Sequence, residues 1–107
     1  MAREKFKTLT EQMFYILLCL MEERRGVDIL ELVRSLTGGR VNVGSGTLYD
    51  LLEHFVSEGM ICQTRVEGRR RSYLITEKGR AMLDREYERL MAQASDYRQI
   101  LGKEDKP

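Results

Sequence analysis

The chain has no tryptophan, one histidine, two cysteines and no apolar run of membrane length. Each shortage closes a class of function. A single imidazole, His54, removes most metal sites and most acid–base catalysis. No His–Cys or His–Ser pairing, phosphate loop or metal-ligand spacing stands in for it. The expectation is therefore no enzyme, no catalytic residue, no metal and no cofactor. Cys19 and Cys62 form no closely spaced motif, so neither a disulfide scaffold nor a zinc knuckle fits. Each reads as a small buried apolar residue, and no basic side chain neighbours Cys19 in sequence to activate its thiol. The longest apolar stretch, Met13 to Met21, is about half of the ~20 residues a spanning helix needs. No small-residue cleavage site follows it, so the reading is a cytoplasmic protein without a membrane partner. With 107 residues, 42% hydrophobic and 33% charged, there is material for one globular domain.

Charge of one sign is also missing from the whole chain, but not from every part of it. Eighteen basic residues against seventeen acidic leave +1. Residues 65–80 hold Arg65, Arg69, Arg70, Arg71, Lys78 and Arg80 against Glu67 and Glu77. That segment alone is +4, and the remainder −3. A concentrated basic patch is the electrostatic footprint of phosphate contact, although a solvated loop has the same look. Arg3, Lys5 and Lys7 add a short basic arm at the N-terminus.

What is present is periodicity. Thr10 and Met13 have the spacing of a capping box, with methionine in place of Glu or Gln. The helix they open is expected to reach about Glu23, and its apolar residues cover nearly the whole circumference. Such a helix needs cover on more than one side, which in so small a domain suggests a second subunit. From Asp28 to about Thr37, Ile29, Leu32, Val33 and Leu36 recur at helical spacing, and Gly38-Gly39 stop them. A loop follows in which Val41 and Val43 tuck inward. A third helix from about Thr47 to Glu58 puts Leu48, Leu51, Leu52, Phe55 and Val56 on one face, with Gly59 as a left-handed stop. From Met60 the period changes to two. Met60–Val66 and Ser72–Ile75 read as strands around Glu67-Gly68-Arg69-Arg70-Arg71, a hairpin with a cationic tip. Thr76, Glu77 and Gly79 open a last helix to about Leu101. The fold class is mainly α with a small β-hairpin: a winged helix-turn-helix over residues 1–76 with its wing at 60–75, a C-terminal dimerisation helix over 77–101, and a flexible tail over 102–107.

Several short motifs then act together. They are Leu9-Thr10 before the first helix, Gly44-Ser45-Gly46-Thr47-Leu48-Tyr49 opening the third, Glu58-Gly59-Met60-Ile61 before the wing, Gly68-Arg69-Arg70-Arg71-Ser72-Tyr73 within it, and Thr76-Glu77-Lys78-Gly79 after it. In these the chain resembles the PadR family of bacterial transcriptional regulators from about Leu9 to about Leu90. The resemblance implies a homodimeric winged helix that represses transcription from double-stranded DNA, often until a small molecule loosens its grip. Thr47 and Tyr49 are candidate DNA contacts, since glycines before a helix allow close approach and free amides meet phosphate. Both also have a plain structural use, Thr47 as a cap and Tyr49 in packing. Arg69 and Arg70, then Arg71, and Arg65 below them are the candidate phosphate or minor-groove contacts. His54 completes the set, as either a base contact or an exposed bystander. Where the family often places lysine or arginine in the third helix, this chain has Asp50, Glu53 and His54. That departure keeps open a protein-docking use of the same face. An RNA target is disfavoured because the wing lacks aromatics arranged for stacking.

The last helix carries Leu83, Tyr87, Leu90, Ala94, Tyr97 and Leu101 at heptad spacing, a seam that wants a partner. With Phe14, Leu17 and Met21 of the first helix these are the expected dimer interface, against the alternative that they pack within one chain. Phe14, Met21, Tyr87 and Met91 are the candidates for an effector pocket, because methionine adapts to varied shapes. Relatives that take flat aromatic drugs commonly use a tryptophan of the final helix, and this chain has none.

Overall fold

The computed structural model describes residues 8–102, and its elements begin where the first cap predicts. Thr10 Oγ1 accepts the Met13 N–H at 3.2 Å, and the Met13 sulfur accepts the Thr10 N–H at 3.3 Å. Methionine thus closes the capping box of α1 (Glu11–Cys19) in place of a carboxylate. The helix stops at Cys19, short of the expected Glu23. Leu20 leaves the helical ladder, and its carbonyl accepts the Ile75 N–H at 2.8 Å. The chain then forms β1 (Arg24–Arg25), a strand too short for any period to reveal, and enters α2 (Gly26–Leu36) two residues before Asp28.

Next come α3 (Ser45–Ser57), β2 (Ile61–Glu67), β3 (Arg70–Ile75) and α4 (Glu77–Leu101). The three strands form one antiparallel sheet in the order β1-β3-β2. The hairpin is therefore anchored, through β1, to the chain just ahead of α2. Gly68, at φ 63°, is the first of two residues joining β2 to β3, a place that a side chain would strain. A register shift between Gln63 and Arg65 leaves Thr64 unmatched, so simple alternation breaks halfway along the wing.

Phe55, Ile16, Leu17, Leu20, Ile29 and Leu48 lose all contact with solvent where α1, α2 and α3 pack, and Val41 and Val43 turn inward as expected. Five residues face otherwise than expected. Leu36 (54% exposed) and Val56 face outward, because each sits at the end of its helix, beyond the core. Leu17 and Leu83 lie inside the chain's own core, so neither is available to a second subunit. Cys62 is exposed, because β2 projects into solvent on both faces after Ile61. Cys19 is buried as expected, but it does have a basic neighbour: Arg24 Nε donates to its carbonyl at 2.7 Å. Burial nevertheless pushes the Cys19 thiol up, against the smaller lowering effect of Arg24.

Thr76 starts α4, accepting the Gly79 N–H at 3.2 Å and donating to the Gly59 carbonyl at 2.6 Å. Gly79 is buried against the Met60 backbone, and any Cβ there would collide with the Met60 carbonyl. The Thr76-to-Gly79 motif is thus a joint between wing and last helix. Met82, Leu83 and Glu86 keep α4 on the body for its first three turns. Beyond Glu86 no residue of α4 is buried. At ~1.5 Å per residue the helix is about 37 Å long, and it accounts for much of the 62 Å longest dimension. Among the described residues no helix is long and apolar enough to cross a membrane. Arg3, Lys5, Lys7 and tail residues 103–107 lie outside the described residues.

Candidate nucleic-acid interface

The opening of α3 differs from the expectation in a useful way. Thr47 is not its cap. The helix begins at Ser45 behind Gly44, and no side chain caps it. Its first-turn amides therefore keep their capacity for an anion. Thr47 stands on this first turn, exposed. Leu48, its neighbour, is fully buried and orients the helix.

Tyr49 both packs and presents. Its ring lies across the start of α2, where a Cβ on Gly26 would stand 2.7 Å from Cε1. Only a bare residue lets the ring seat there. Half of the side chain remains in solvent.

Between α3 and the wing lies an open cleft of about 980 Å³. One wall comes from α3, with Gly46, Tyr49, Asp50 and Glu53; the other comes from the wing, with Gln63, Arg69, Arg70 and Arg71. Arg25, Gly26 and Val27 also line it. The structure thus brings Tyr49 together with the three consecutive arginines. Thr47, His54 and Arg65 line no part of this cleft. Arg65 is on the exposed strand, 3.9 Å from Glu67, and His54 is half-buried in the last turn of α3 rather than fully exposed.

Arg25 is the residue that sequence reasoning missed. Its Nε donates to Asp28 Oδ2 at 3.1 Å, and Nη2 lies 3.5 Å from Oδ1. The hydrogen bond to the guanidinium holds the Asp28 carboxyl below the usual carboxylate range, and the same bond raises Arg25. A guanidinium held on one edge is pre-aimed on the other. The only signal in sequence was a pair of arginines before a helix, and their place beside the wing depends on β1 pairing with β3.

Opposite polarity faces across the cleft: Asp50 and Glu53 on α3, arginines on the wing. Acids near phosphate lower affinity, but they accept hydrogen bonds from cytosine amino groups at base edges. Among the described residues no group of His, Cys, Asp and Glu is arranged to hold a metal ion.

On α4, which contributes no residue to the cleft lining, the seam residues Tyr87, Leu90, Tyr97 and Leu101 are exposed and Ala94 is half-buried. Met91 and Ile100 (68% exposed) widen that face. Phe14 packs against the core, edge-on to Tyr15 at 5.7 Å. Met21 is exposed beside α4, 3.9 Å from Arg80 Nη1.

Known proteins share this fold. RosR of H. salinarum superposes with a TM-score of 0.69 at 21% identity, covering 92% of this chain and 96% of that one. A PadR family transcriptional regulator from Eggerthella lenta DSM 2243 gives 0.69 at 21% identity, covering 82% and 79%. The transcriptional repressor CouR, bound to a 23-mer DNA duplex, gives 0.66 at 23% identity, covering 92% and 67%. Identities this low speak for the fold alone. No curated protein matches the chain in sequence. The sequence model of the PadR-like transcriptional regulators, however, matches residues 16–85, a stretch that runs from the middle of α1 through α3 and the wing into α4. The chain belongs to the PadR-like family of transcriptional regulators, which are not enzymes.

Proposed function

We propose that this regulator is a repressor that binds double-stranded DNA as a homodimer in the cytoplasm. The observation that carries the reading is the cleft in which an uncapped α3, an exposed Tyr49 and three wing arginines converge. In the dimer, two copies of α3 enter successive major grooves of a palindromic operator, ~34 Å apart. The wings hold the flanking phosphates. Arg69 and Arg70 supply most of the grip, helped by Arg71, Arg65 and Arg25. Thr47 and Tyr49 approach the duplex at the head of α3, and His54 lies at its far end. The acidic Asp50 and Glu53 shift the burden of affinity onto the wing, since they add repulsion rather than attraction near phosphate. That CouR, of the same fold, is bound to a DNA duplex supports DNA as the partner.

The second subunit docks along α4. Tyr87, Leu90, Ala94, Tyr97 and Leu101 form a seam with no buried member, and exposed apolar seams of this spacing pair. Where α1 passes α4, Phe14, Met21, Tyr87 and Met91 would line a soft pocket in the paired form. A small molecule seated there would alter the pairing and release the operator.

Fluorescence anisotropy decides the matter, with the duplex just upstream of the protein's own coding sequence titrated beside a scrambled duplex of equal length. Tight binding to the native duplex alone is the expected result. Equal, weak binding to both would deny operator specificity on that fragment. No binding to either at low salt would overturn the reading and favour the acidic wall of α3 as a protein-docking face.

A further inference from the structure

Glu86 is the only charged side chain buried among the described residues, 4% exposed. It stands at a particular place on α4. Met82 and Leu83, one turn earlier, are in the core, while Tyr87, one step later, is in solvent. The helix leaves the body here. Glu86 Oε1 accepts the Leu9 N–H at 3.3 Å, a bond spanning 77 residues of sequence. Arg89 folds back on the same carboxylate, Nε to Oε1 at 3.2 Å and Nη2 to Oε2. Its Nη1 continues to Gln93 Oε1 at 2.7 Å. Leu9 is itself buried and directly precedes the Thr10 cap of α1. One carboxylate therefore ties the entry of α1 to the exit of α4.

Stability alone does not explain a carboxylate there. Burying a charge is costly even when it is paired, and an apolar side chain of similar size would fill the place at no such cost. What a hydrogen-bonded carboxylate adds is direction. Past this point α4 continues for residues 87–101, about 22 Å at ~1.5 Å per residue. A tilt of roughly 10° at Glu86 would move its end by about 4 Å, close to the ~3.4 Å rise of one base pair that half-site spacing must respect.

We propose that Glu86 is a positioning residue for DNA binding. Its bond to the Leu9 amide sets the angle at which α4 leaves the winged helix, and through it the separation of the two wings. This rests on the α4-paired dimer proposed above. In that dimer each body hangs from the seam by its own Glu86 joint, so a loose joint leaves the half-site spacing undefined.

The full chain offers its own probe. Cys62 is exposed on β2 of the wing and Cys19 is buried, so a nitroxide reagent labels the wing. Pulsed dipolar spectroscopy without DNA then reads the wing-to-wing distance in the dimer. Wild type should give one narrow distribution. Glu86→Leu, which keeps the packing and leaves the Leu9 amide without its acceptor, should fold with a lower melting temperature and give a distribution broadened by several ångströms. Glu86→Gln, whose amide oxygen still accepts from Leu9, should stay narrow. On operators lengthened or shortened by one base pair, the wild-type preference of about tenfold should be lost in Glu86→Leu and kept in Glu86→Gln. A narrow, unshifted distribution in Glu86→Leu would overturn the proposal and leave the dimer reading intact. Absence of any dipolar coupling in wild type would overturn the dimer reading, and the proposal with it. Should Glu86→Leu fail to fold, hydrogen exchange of the Leu9 amide in wild type decides, with protection supporting the joint and rapid exchange overturning it.

Discussion

Up to Glu86 the chain closes a core of its own, with Phe55, Leu48 and Ile16 sealed from solvent; over residues 87–101, a helix of similar apolar content has no buried side chain. The two regions use the same residue types for different ends. In the body they stabilise a fold that positions Tyr49 and the wing arginines. In the outer half of α4 none of them is buried within one chain, which the proposed pairing of two copies along this helix would account for. Three of the body's exposed apolar residues teach the same lesson on a smaller scale, for Val27, Tyr49 and Val56 gather around the cleft.

The strongest way to break this comparison is to truncate one side chain in each region. Phe55→Ala should lower stability by about 3–5 kcal/mol, read from denaturant midpoints at a dilution that dissociates the dimer. Ile100→Ala should change the same midpoint by less than about 0.5 kcal/mol. Equal losses would mean that the outer helix is part of the folding unit.

A pair of charges sharpens the other side. Leu90→Lys with Tyr97→Lys should weaken the dimer at least a hundredfold, about 2.7 kcal/mol, by sedimentation equilibrium. The melting temperature of that variant should also stop depending on protein concentration. A dimer that survives both charges would place the interface elsewhere.

Seen from the sequence, the two regions were unequally readable. Local signals were dependable wherever a backbone group is satisfied by a near neighbour: Thr10 on Met13, Thr76 on Gly79, and Gly59 turning α3 off at φ 77°. Signals failed where the partner is remote. The end of α1 is decided by Leu20 bonding Ile75, and β1 exists only through its pairing with β3. The same remoteness hid Arg25 from the site. Facing was misread for a different reason, because helical spacing says which residues share a side and not how far the core extends. Leu36 and Val56 therefore came out exposed, while Leu17 and Leu83 of the expected dimer interface went inside. Tyr49 and the three wing arginines were legible because glycine punctuation and consecutive charge are both local.

The junction between the regions should respond to pH. The hydrogen bond from Arg89 holds the Glu86 carboxyl below the usual carboxylate range, against the opposing effect of burial, with the Leu9 amide assisting. A carboxyl lowered in this way stabilises the fold fully above its unfolded value of about 4.3. That contribution fades as pH falls through the lower folded value. The midpoint difference between wild type and Glu86→Gln should therefore shrink below about pH 4 and be constant above pH 6. A difference that holds down to pH 3 would contradict the ion pair.

The smallest effect is chemical rather than energetic. A thiol reagent should modify one cysteine per chain quickly, Cys62, and the buried Cys19 only after denaturation. Two fast thiols would mean that the α1 core is open.

The central claim is that the wing grips and the outer helix pairs, and the salt dependence of DNA binding tests it most directly. Arg69→Ala with Arg70→Ala removes up to four phosphate contacts per dimer. The slope of log affinity against log salt on the operator duplex should fall by about 4, at ~1 per lost contact, with the dimer unchanged in sedimentation. An unchanged slope in a still-dimeric variant would contradict the account, because the affinity would then come from somewhere other than the wing.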